Sequence, residues 1–254
     1  MRLTRAIVRP PAKSFADGLT TSNLGKPSFK LARDQHDRYC EALERCGLTL
    51  TCLPADDRFP DSTFVEDTAI LVARGAIVCR PGAASRQGEV AFIRPALPAT
   101  LGEIQPPGTV DGGDVCDANG LFLIGLSSRT NEEGARQLAA VLAEHGYESS
   151  TVDLRGNAEL LHLKSGLAAL DDGRLVAVAA LADRAELRGR EIIPVADDEA
   201  YAANCICING RVLIASGFPR LERLLVEMDY DVATVDMSEF QKMDGGLSCL
   251  SLRS

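Results

Sequence analysis

The sequence predicts an α+β fold, a five-bladed α/β propeller of ββαβ repeats around a central channel. A succession of strand, tight turn, strand, helix and strand recurs about five times, at intervals of roughly 40–50 residues that are typical of propellers and other repeat arrays. The end of the chain is apolar and contains the pair Gly245-Gly246. We therefore expect it to pair with the beginning, as a closed ring requires. No linker or low-complexity segment interrupts the sequence, so we treat residues 1–254 as one domain.

Local sequence signals define the elements in order. The N-terminal segment contains a strand that ends at Pro10, a loop over 14–22, a helix over 29–46 and a strand over 48–53. The next unit contains strands over 68–72 and 76–79, a polar loop with Arg86, a helical stretch and a further strand. The unit after Asp111 contains a strand around Val115, a turn at 118–120, a strand over 121–124, a helix over 130–145 and a strand over 150–154. We start that helix at Thr130 because Glu133 three residues later completes a capping box.

Two further units follow, and the last is completed by the N-terminus. The elements are a strand from Leu161, a turn at 171–173 and a strand over 174–178, then strands over 205–208 and 212–214, a helix, and a strand over 232–235. Asn209-Gly210 is a strong hairpin signal. The helix has Leu221, Leu224, Leu225 and Met228 at helical spacing, which gives one apolar stripe. The fifth unit joins a strand at Leu250 to the N-terminal strand and helix.

Composition narrows the classes of function. Lys and Arg total 27 against 36 Asp and Glu, a net charge of −9, which argues against nucleic-acid and anionic-membrane partners. We expect a cytoplasmic protein, because the sequence has neither a bilayer-spanning apolar run nor the apolar core of a signal peptide. The eight cysteines should then be thiols. Cys205 and Cys207 have no second ligand pair in sequence, so we expect no metal site.

Polar residues recur at the first strand of each unit, where Asp and Glu are normally excluded. They are Asp61 with 64–67, residues 111–114, His162, Asn204, and residues 245–249. Buried carboxylates are costly unless paired, so recurrence at equivalent places indicates one shared site on the axis. Taken singly, Cys249 could be a small buried hydrophobe and His162 a hydrogen-bonded core residue.

Together these clusters contain the groups that covalent catalysis needs. Cys249 is a candidate nucleophile, His162 a candidate acid or base, and Asp111 or Asp114 a candidate for orienting the histidine. The additional carboxylates suit a guanidinium, which is planar and always charged. The sequence therefore indicates a site for a cationic small molecule.

The pattern resembles the dimethylarginine dimethylaminohydrolases, of the guanidine-modifying superfamily of five-bladed ββαβ propellers. The resemblance covers essentially the whole chain. It rests on residues 17–22, 59–62, 64–67, 80–83 with Arg86, 111–115, 128–131, 162–165, 202–206 and 244–249. It implies hydrolysis of Nω-methylated arginines to citrulline and a methylamine, through a thiouronium on the cysteine and without a cofactor or a metal.

The resemblance also implies a role for each residue. Cys249 would be the nucleophile, His162 would protonate the leaving amine and then activate water, and Asp111 would orient His162. The family has Glu or Asp at the position of Asp111. The implied substrate-binding residues are Glu66 and Asp67 for the guanidinium, Asp61 and the Leu19 backbone for the α-ammonium, Arg86 and Arg129 for the α-carboxylate, and the Met243 backbone for the pocket wall.

Alternatives stay open from the sequence. Arginine deiminases usually contain an inserted helical domain, for which 254 residues leave no room, and an acid two places after the histidine, where this chain has Lys164. Amidinotransferases are usually longer. A non-catalytic propeller that binds an arginine-like ligand would have no need of Cys249, His162 and Asp111 together. The oligomeric state is open, and a homodimer is compatible with the sequence.

Overall fold

Fifteen strands form five sheets of three strands each, and the strand order is the same in every sheet. The computed structural model describes residues 2–157 and 159–254. In each sheet the middle strand pairs antiparallel with an inner strand and parallel with an outer strand. Helical segments join the middle strand to the outer strand. Each sheet is therefore one ββαβ blade, and the predicted five-bladed propeller is confirmed.

The elements are short, as expected for blades. The strands are β1 (Arg5–Val8), β2 (Thr49–Cys52), β3 (Ala69–Val72), β4 (Gly75–Val78), β5 (Thr100–Glu103), β6 (Val115–Ala118), β7 (Leu121–Leu126), β8 (Glu148–Asp153), β9 (Leu167–Ala169), β10 (Leu175–Val178), β11 (Ile192–Val195), β12 (Ile206–Ile208), β13 (Arg211–Ala215), β14 (Asp231–Val235) and β15 (Ser251–Arg253). The α-helices are α1 (Phe29–Arg45), α2 (Val90–Ile93), α3 (Glu132–Glu144), α4 (Ala179–Ala182), α5 (Pro219–Glu227) and α6 (Ser238–Gln241).

The two ends of the chain close the ring. Strand β15 pairs antiparallel with β1, so that Val8 lies opposite Ser251 and Ala6 opposite Arg253. Helix α1 packs on the same blade, and the buried hydroxyl of Tyr39 donates a hydrogen bond to the Leu247 carbonyl at 2.9 Å. The fifth blade is thus made from both ends of the chain, as predicted.

The predicted hairpins are confirmed by their backbone angles. Between β12 and β13, Asn209 has φ 53° and Gly210 has φ 88°. Two consecutive positive φ values define the type I′ turn that matches the twist of a two-residue hairpin. Asn119 and Gly120, with φ 57° and 96°, form the same turn between β6 and β7.

Two sequence predictions about element starts are wrong. Helix α3 is capped by Asn131, whose side chain accepts from the Gly134 N–H at 2.8 Å, and the Thr130 hydroxyl instead accepts from the Asp111 N–H at 3.1 Å. The strand predicted from Leu161 begins only at β9, because a single 3-10 turn over Leu163–Ser165 precedes it.

A segment of 3-10 helix precedes each of the five inner strands. These segments are Val65–Thr68, Gly112–Asp114, Leu163–Ser165, Asp197–Ala203 and Ser248–Leu250. They and their flanking residues contain the polar clusters that the sequence placed at the first strands, so the carboxylates do not interrupt a β-ladder. Neighbouring segments contact one another around the axis, which gathers the clusters at one end of the propeller.

Apolar side chains fill the space between neighbouring blades. Helix α1, for example, buries Ala32, Tyr39 and Leu43 against the closing blade. Within residues 2–157 and 159–254, none of the helices combines the length and apolar character needed to cross a bilayer.

Candidate active site

Cys249 lies in the last 3-10 turn, which two glycines allow to approach its neighbours closely. Its side chain is partly exposed, whereas the residues on either side are buried. A Cβ on Gly245 would lie 2.2 Å from the ring of Phe64, and one on Gly246 would lie 2.5 Å from the side chain of Asn204. The Gly246 N–H donates to the Cys249 sulfur at 3.4 Å. Because only glycine fits at these two places, the tight turn that places Cys249 depends on both.

The thiol of Cys249 is neutral at pH 7 in the free protein. Burial raises its pKa to about 12, and the charges of Glu66 and Asp67 act in the same direction. The Gly246 N–H and the charge of Lys164 favour the thiolate but do not offset these effects. A positive charge placed beside the sulfur would lower the pKa and favour the thiolate.

His162 and Asp111 form a buried pair. The His162 Nε2–H donates to Asp111 Oδ2 at 3.0 Å. The other carboxylate oxygen accepts from the Gly82 N–H at 2.8 Å, and the Asp111 N–H donates to the Thr130 hydroxyl at 3.1 Å. Backbone and side chain of Asp111 are both fixed, which is the geometry that an orienting carboxylate requires.

Asp114, the second candidate for orienting the histidine, is engaged elsewhere. Its Oδ2 accepts from the Ser127 hydroxyl at 2.6 Å and its Oδ1 from the Leu163 N–H at 3.0 Å. Burial raises its pKa to about 6. Asp114 therefore links one inner turn to the next, and the geometry favours Asp111 for the orienting role.

The ring of His162 is charged at pH 7. Burial by itself lowers its pKa, but the carboxylates of Asp67, Asp114 and Asp111 outweigh burial and raise the pKa to about 9. A Cβ on Gly113 would lie 2.8 Å from His162 Nδ1, so the ring lies directly against this glycine. His162 is thus an imidazolium that can donate a proton.

Asp67 connects the histidine to a buried arginine. Its Oδ1 accepts from the Gly113 N–H at 2.8 Å, and its Oδ2 pairs with Arg86 Nη1 at 2.5 Å. Burial opposes ionisation of Asp67, but the charges of Arg86 and His162 and the Gly113 N–H outweigh it and lower the pKa. Asp67 therefore remains an anion beside both catalytic candidates.

Arg86 is enclosed by protein acceptors. Its Nε and Nη2 donate to Glu89 at 3.1 and 2.9 Å, and Nη2 also donates to the Phe64 carbonyl at 2.9 Å. With Asp67 on Nη1, each guanidinium nitrogen has a protein partner. These bonds use four of the five N–H groups of the guanidinium, so the predicted contact with a substrate carboxylate could use the second N–H of Nη1.

Asp61 and Met243 both lie beside Gly18, which precedes Leu19. Asp61 is buried, and its Oδ1 accepts from the Leu19 N–H at 3.0 Å. A Cβ on Gly18 would lie 2.4 Å from that oxygen and 3.3 Å from the terminal methyl of Met243. Half-buried Arg129 is close enough for its charge to favour the ionised form of Asp61, whose pKa burial raises.

The loop that contains Leu19 is hydrogen-bonded to residues 242–244, which precede Cys249. The Thr20 hydroxyl donates to the Lys242 carbonyl at 2.9 Å. The Thr21 N–H and hydroxyl donate to Asp244 Oδ2 at 2.5 and 3.0 Å. The loop therefore covers the same side of the site as the residues that lead to the cysteine.

The side chain of Glu66 has different partners from that of its neighbour Asp67. Its Oε1 pairs with Lys164 Nζ at 2.6 Å and with Arg253 Nη2 at 3.5 Å, and its Oε2 accepts from the Ser248 hydroxyl at 2.8 Å. Glu66, Lys164 and Ser248 line a cavity of about 500 Å³ on the axis, bounded by the inner strands. None of the three predicted catalytic residues is among the described residues that line it.

The donor atoms of Asp67, Asp111 and His162 lie within 4.8 Å of one another, the one such group of three possible metal ligands in the part of the chain that the structure describes. These atoms are already engaged with one another, with Arg86 and with a backbone N–H.

Sequence reasoning missed two partners in this site. Glu89 is three residues after Arg86, a spacing at which a helical pair would form, and this signal could have identified it. The bond between Ser248 and Glu66 joins residues 182 positions apart and has no local signal.

Comparisons with known proteins identify relatives over the whole chain. The sequence model of a family described as arginine deiminase matches residues 57–206. The N(G),N(G)-dimethylarginine dimethylaminohydrolase of Pseudomonas aeruginosa is 45% identical over 97% of this chain and 98% of its own length, and that of Streptomyces coelicolor is 36% identical over 98% and 96%. The solved structure of a C249S mutant of the Pseudomonas aeruginosa enzyme complexed with citrulline superimposes with a TM-score of 0.96, at 44% identity and with 100% of both chains covered.

Proposed function

Since this chain belongs to the arginine deiminase family and, within it, to the dimethylarginine dimethylaminohydrolases, we propose that it hydrolyses Nω-methylated L-arginines to L-citrulline and dimethylamine or methylamine. The observation that carries the proposal is the buried His162–Asp111 pair, which joins two adjacent inner turns. The charge of Asp67 acts on both the histidine and the cysteine, so an acid and a nucleophile face one small region.

In the first half of the reaction, the thiolate of Cys249 attacks the guanidinium carbon and forms a C–S bond. The tetrahedral intermediate collapses by breaking the bond between that carbon and the methylated nitrogen. The His162 imidazolium donates its proton to this nitrogen, which leaves as a neutral amine. Because Nε2 is held by Asp111, Nδ1 is the nitrogen that transfers the proton. A cationic thiouronium remains on the sulfur, and the imidazole is neutral.

In the second half, the neutral imidazole of His162 accepts a proton from water while the water oxygen bonds to the thiouronium carbon. Collapse of this second intermediate breaks the C–S bond, and the sulfur keeps the electron pair. Loss of the hydroxyl proton leaves the neutral ureido group of citrulline. Nucleophile, acid and base all come from side chains of this chain, so we propose no cofactor.

We further propose that the Cys249 thiolate forms as the substrate binds. The free thiol has a pKa raised to about 12 by burial and by two carboxylates. A guanidinium placed against the sulfur contributes the positive charge that stabilises the thiolate. Substrate binding would thus activate its own nucleophile.

The charged residues around the turn that carries Cys249 suggest how the substrate is recognised. We propose that Glu66 and Asp67 bind the guanidinium and that the Met243 backbone lines the pocket. Asp61 and the Leu19 backbone would bind the α-ammonium, and Arg129 the α-carboxylate. The contact of Arg86 with the α-carboxylate stays a prediction. The bonds of Arg86 support a second role, which is to hold Asp67 ionised and in place.

The competing function is hydrolysis of unmethylated arginine, which the name of the matching family model suggests. Lys164, two places after His162, pairs with Glu66 at 2.6 Å. The position that usually supplies a further acid to the guanidinium in arginine deiminases is therefore basic here, which leaves room at a guanidinium nitrogen for methyl groups. This observation favours the methylated substrates.

The test is citrulline formation from asymmetric dimethylarginine, monomethylarginine and arginine in parallel, with Cys249→Ser as the matched control. We expect turnover of the methylated substrates that the serine variant lacks. Turnover of arginine alone would move the assignment to a deiminase. If none of the three compounds is turned over, the better-supported function is that of a non-catalytic propeller that binds an arginine-like ligand.

We also propose a cytoplasmic, single-domain enzyme whose partner is a small molecule. The closure of five blades into one ring supports the single domain. The net charge of −9 argues against a nucleic-acid or anionic-membrane partner. A homodimer is compatible with these features, and sedimentation of the purified protein would test it.

A further inference from the structure

We infer that Tyr201 is a positioning residue for the nucleophile, because its hydroxyl holds the peptide group whose N–H donates to the sulfur of Cys249. The inference rests on the proposed function, since it concerns the cysteine as the attacking group. Neither the sequence pattern nor the resemblance pointed to Tyr201.

One peptide group connects the tyrosine to the sulfur. The Tyr201 hydroxyl donates to the Gly245 carbonyl at 2.8 Å, and the Gly246 N–H donates to Cys249 Sγ at 3.4 Å. That carbonyl and that N–H belong to the same planar trans peptide group, so they point in opposite directions. A chain of two hydrogen bonds therefore runs from Tyr201 to the nucleophile through a single rigid unit.

This peptide group depends on an outside partner for its orientation. It lies between two glycines, which have no Cβ to resist its rotation. The Gly245 N–H donates to the Phe240 carbonyl at 3.0 Å, but that N–H belongs to the preceding peptide group. The bond from Tyr201 thus fixes the carbonyl end of the group, and with it the direction of the N–H that meets the sulfur.

The side chain of Tyr201 is held in place and keeps its proton. It reaches the nucleophile's turn from the inner segment Asp197–Ala203, and its half-buried ring packs on Phe218 with the ring centroids 5.7 Å apart. Burial raises the pKa of its hydroxyl well above the ordinary value, and the charges of Cys249 and Asp236 act in the same direction. The hydroxyl therefore remains a donor at the pH of the reaction.

The peptide group that Tyr201 holds favours the thiolate. The Gly246 N–H lowers the pKa of the sulfur, and a hydrogen bond accepted by the carbonyl of the same group polarises it and strengthens that N–H as a donor. The charges that also face the sulfur are those of Glu66 and Asp67, which oppose the thiolate, and of Lys164, which favours it. Tyr201→Phe leaves all three charged residues unaltered, so it isolates the effect of the peptide group.

The same turn offers a matched control. The Tyr39 hydroxyl donates to the Leu247 carbonyl at 2.9 Å. The N–H of that peptide group belongs to Ser248 and donates to Asn204 Oδ1 at 2.9 Å instead of to the sulfur. Tyr39→Phe therefore removes the same kind of bond from the same turn without changing the peptide group that donates to the sulfur.

The first measurement is the pH dependence of kcat for asymmetric dimethylarginine in the unaltered protein, Tyr201→Phe and Tyr39→Phe. The acid limb reports ionisation of Cys249 in the complex, and the basic limb reports loss of the His162 proton. We expect Tyr201→Phe to move the acid limb upward by about half a pH unit or more, the size expected when a hydrogen bond to a charged group is weakened, and to leave the basic limb in place.

A purely structural role would lower kcat equally at every pH, so the acid limb is the decisive feature. We expect Tyr39→Phe to leave both limbs in place, whatever its effect on the height of the profile. An unmoved acid limb in Tyr201→Phe, or an equal shift in the two variants, would overturn the inference.

The second measurement needs no turnover. Alkylation of Cys249 by iodoacetamide without substrate, followed by mass spectrometry of its peptide, depends on the fraction of thiolate. We expect the reaction to be about twofold or more slower in Tyr201→Phe, because the lower thiolate fraction outweighs the higher reactivity of a more basic sulfur. Tyr39→Phe should react at the rate of the unaltered protein. A rate in Tyr201→Phe that equals or exceeds that of the unaltered protein would overturn the inference.

The two proposals fail in distinguishable ways. No turnover of methylated arginine by the unaltered protein would contradict the proposed function, and the alkylation rates would still decide the role of Tyr201. Turnover by the unaltered protein, with the same acid limb and the same alkylation rate in Tyr201→Phe, would contradict only the role of Tyr201. The variant keeps the ring that packs on Phe218, and urea unfolding of the three proteins checks that each is folded in the assays.

Discussion

Raising the pH should remove stability that the fold gains from the charged ring of His162. Its pKa is raised from the ordinary 6.5 to about 9 by the surrounding carboxylates, against the opposing effect of burial. Between these two values the folded state holds this proton and the unfolded state does not, so the free energy of unfolding falls as the pH rises. The contribution is fully present below pH 6.5 and is lost as the pH passes about 9.

The size of the effect follows from the shift. Each unit of pKa corresponds to about 1.4 kcal/mol, so the full contribution is about 3 kcal/mol. Over the window from pH 6.5 to pH 8.5, linkage predicts a loss of about 2 kcal/mol from this residue. The measurement is urea unfolding of the wild-type protein and of His162→Gln at pH 6.5, 7.5 and 8.5.

The variant is the control because the titrating groups away from His162 are common to both proteins. Several buried cysteines also have raised pKa values, and their contributions cancel in the difference between the two curves. We expect the wild type to lose more stability with rising pH than the variant does. Parallel curves, within about 0.5 kcal/mol, would show that the ring is not held as an imidazolium, since ordinary substitutions vary by that much.

Three further predictions concern the nucleophile, the histidine and the core. A bound cationic arginine analogue should lower the pKa of Cys249 from about 12 and so increase the ultraviolet absorbance of the thiolate at pH 7.5. An unchanged spectrum, or an equal increase in the Cys249→Ser variant, would contradict activation of the cysteine by the bound substrate. Gly113→Ala should lower kcat/KM by about a hundredfold, because its methyl would press on the ring of His162, and unaltered kinetics would show that the ring can move aside. Leu43→Ala, at a fully buried position of α1, should lower the free energy of unfolding in urea by about 2–5 kcal/mol. Leu31→Ala, at a half-exposed position of the same helix, should change it by no more than about 0.5 kcal/mol. Equal losses in the two variants would contradict the packing described for α1.

Elements defined by local chemistry could be predicted from the sequence. Helix α1 begins at Phe29 as predicted and ends one residue short of the predicted Cys46, because Gly47 takes a φ of 88° that few other residues adopt. The hairpin at Asn209-Gly210 was identified for the same kind of reason. In both cases the residue that decides the structure lies within the element or directly after it.

Features that depend on distant partners could not be predicted. The capping box at Thr130 was wrong because Asn131 makes the cap and the Thr130 hydroxyl binds the Asp111 backbone. The clusters assigned to the first strands lie at 3-10 turns, whose packing around the axis involves all five blades. Glu66 and Asp67 are adjacent and chemically alike, and only their partners in other blades distinguish them.

The pairing of β15 with β1 determines when the site can exist during synthesis. Strand β1 leaves the ribosome early and lacks this neighbour until residues 251–253 have been made, after the turn that carries Cys249. A nascent chain can therefore assemble the carboxylates and the histidine first, while the reactive sulfur joins them in the final step. Contacts between such distant parts of a chain form slowly, so the turn that carries Cys249 is placed late in folding.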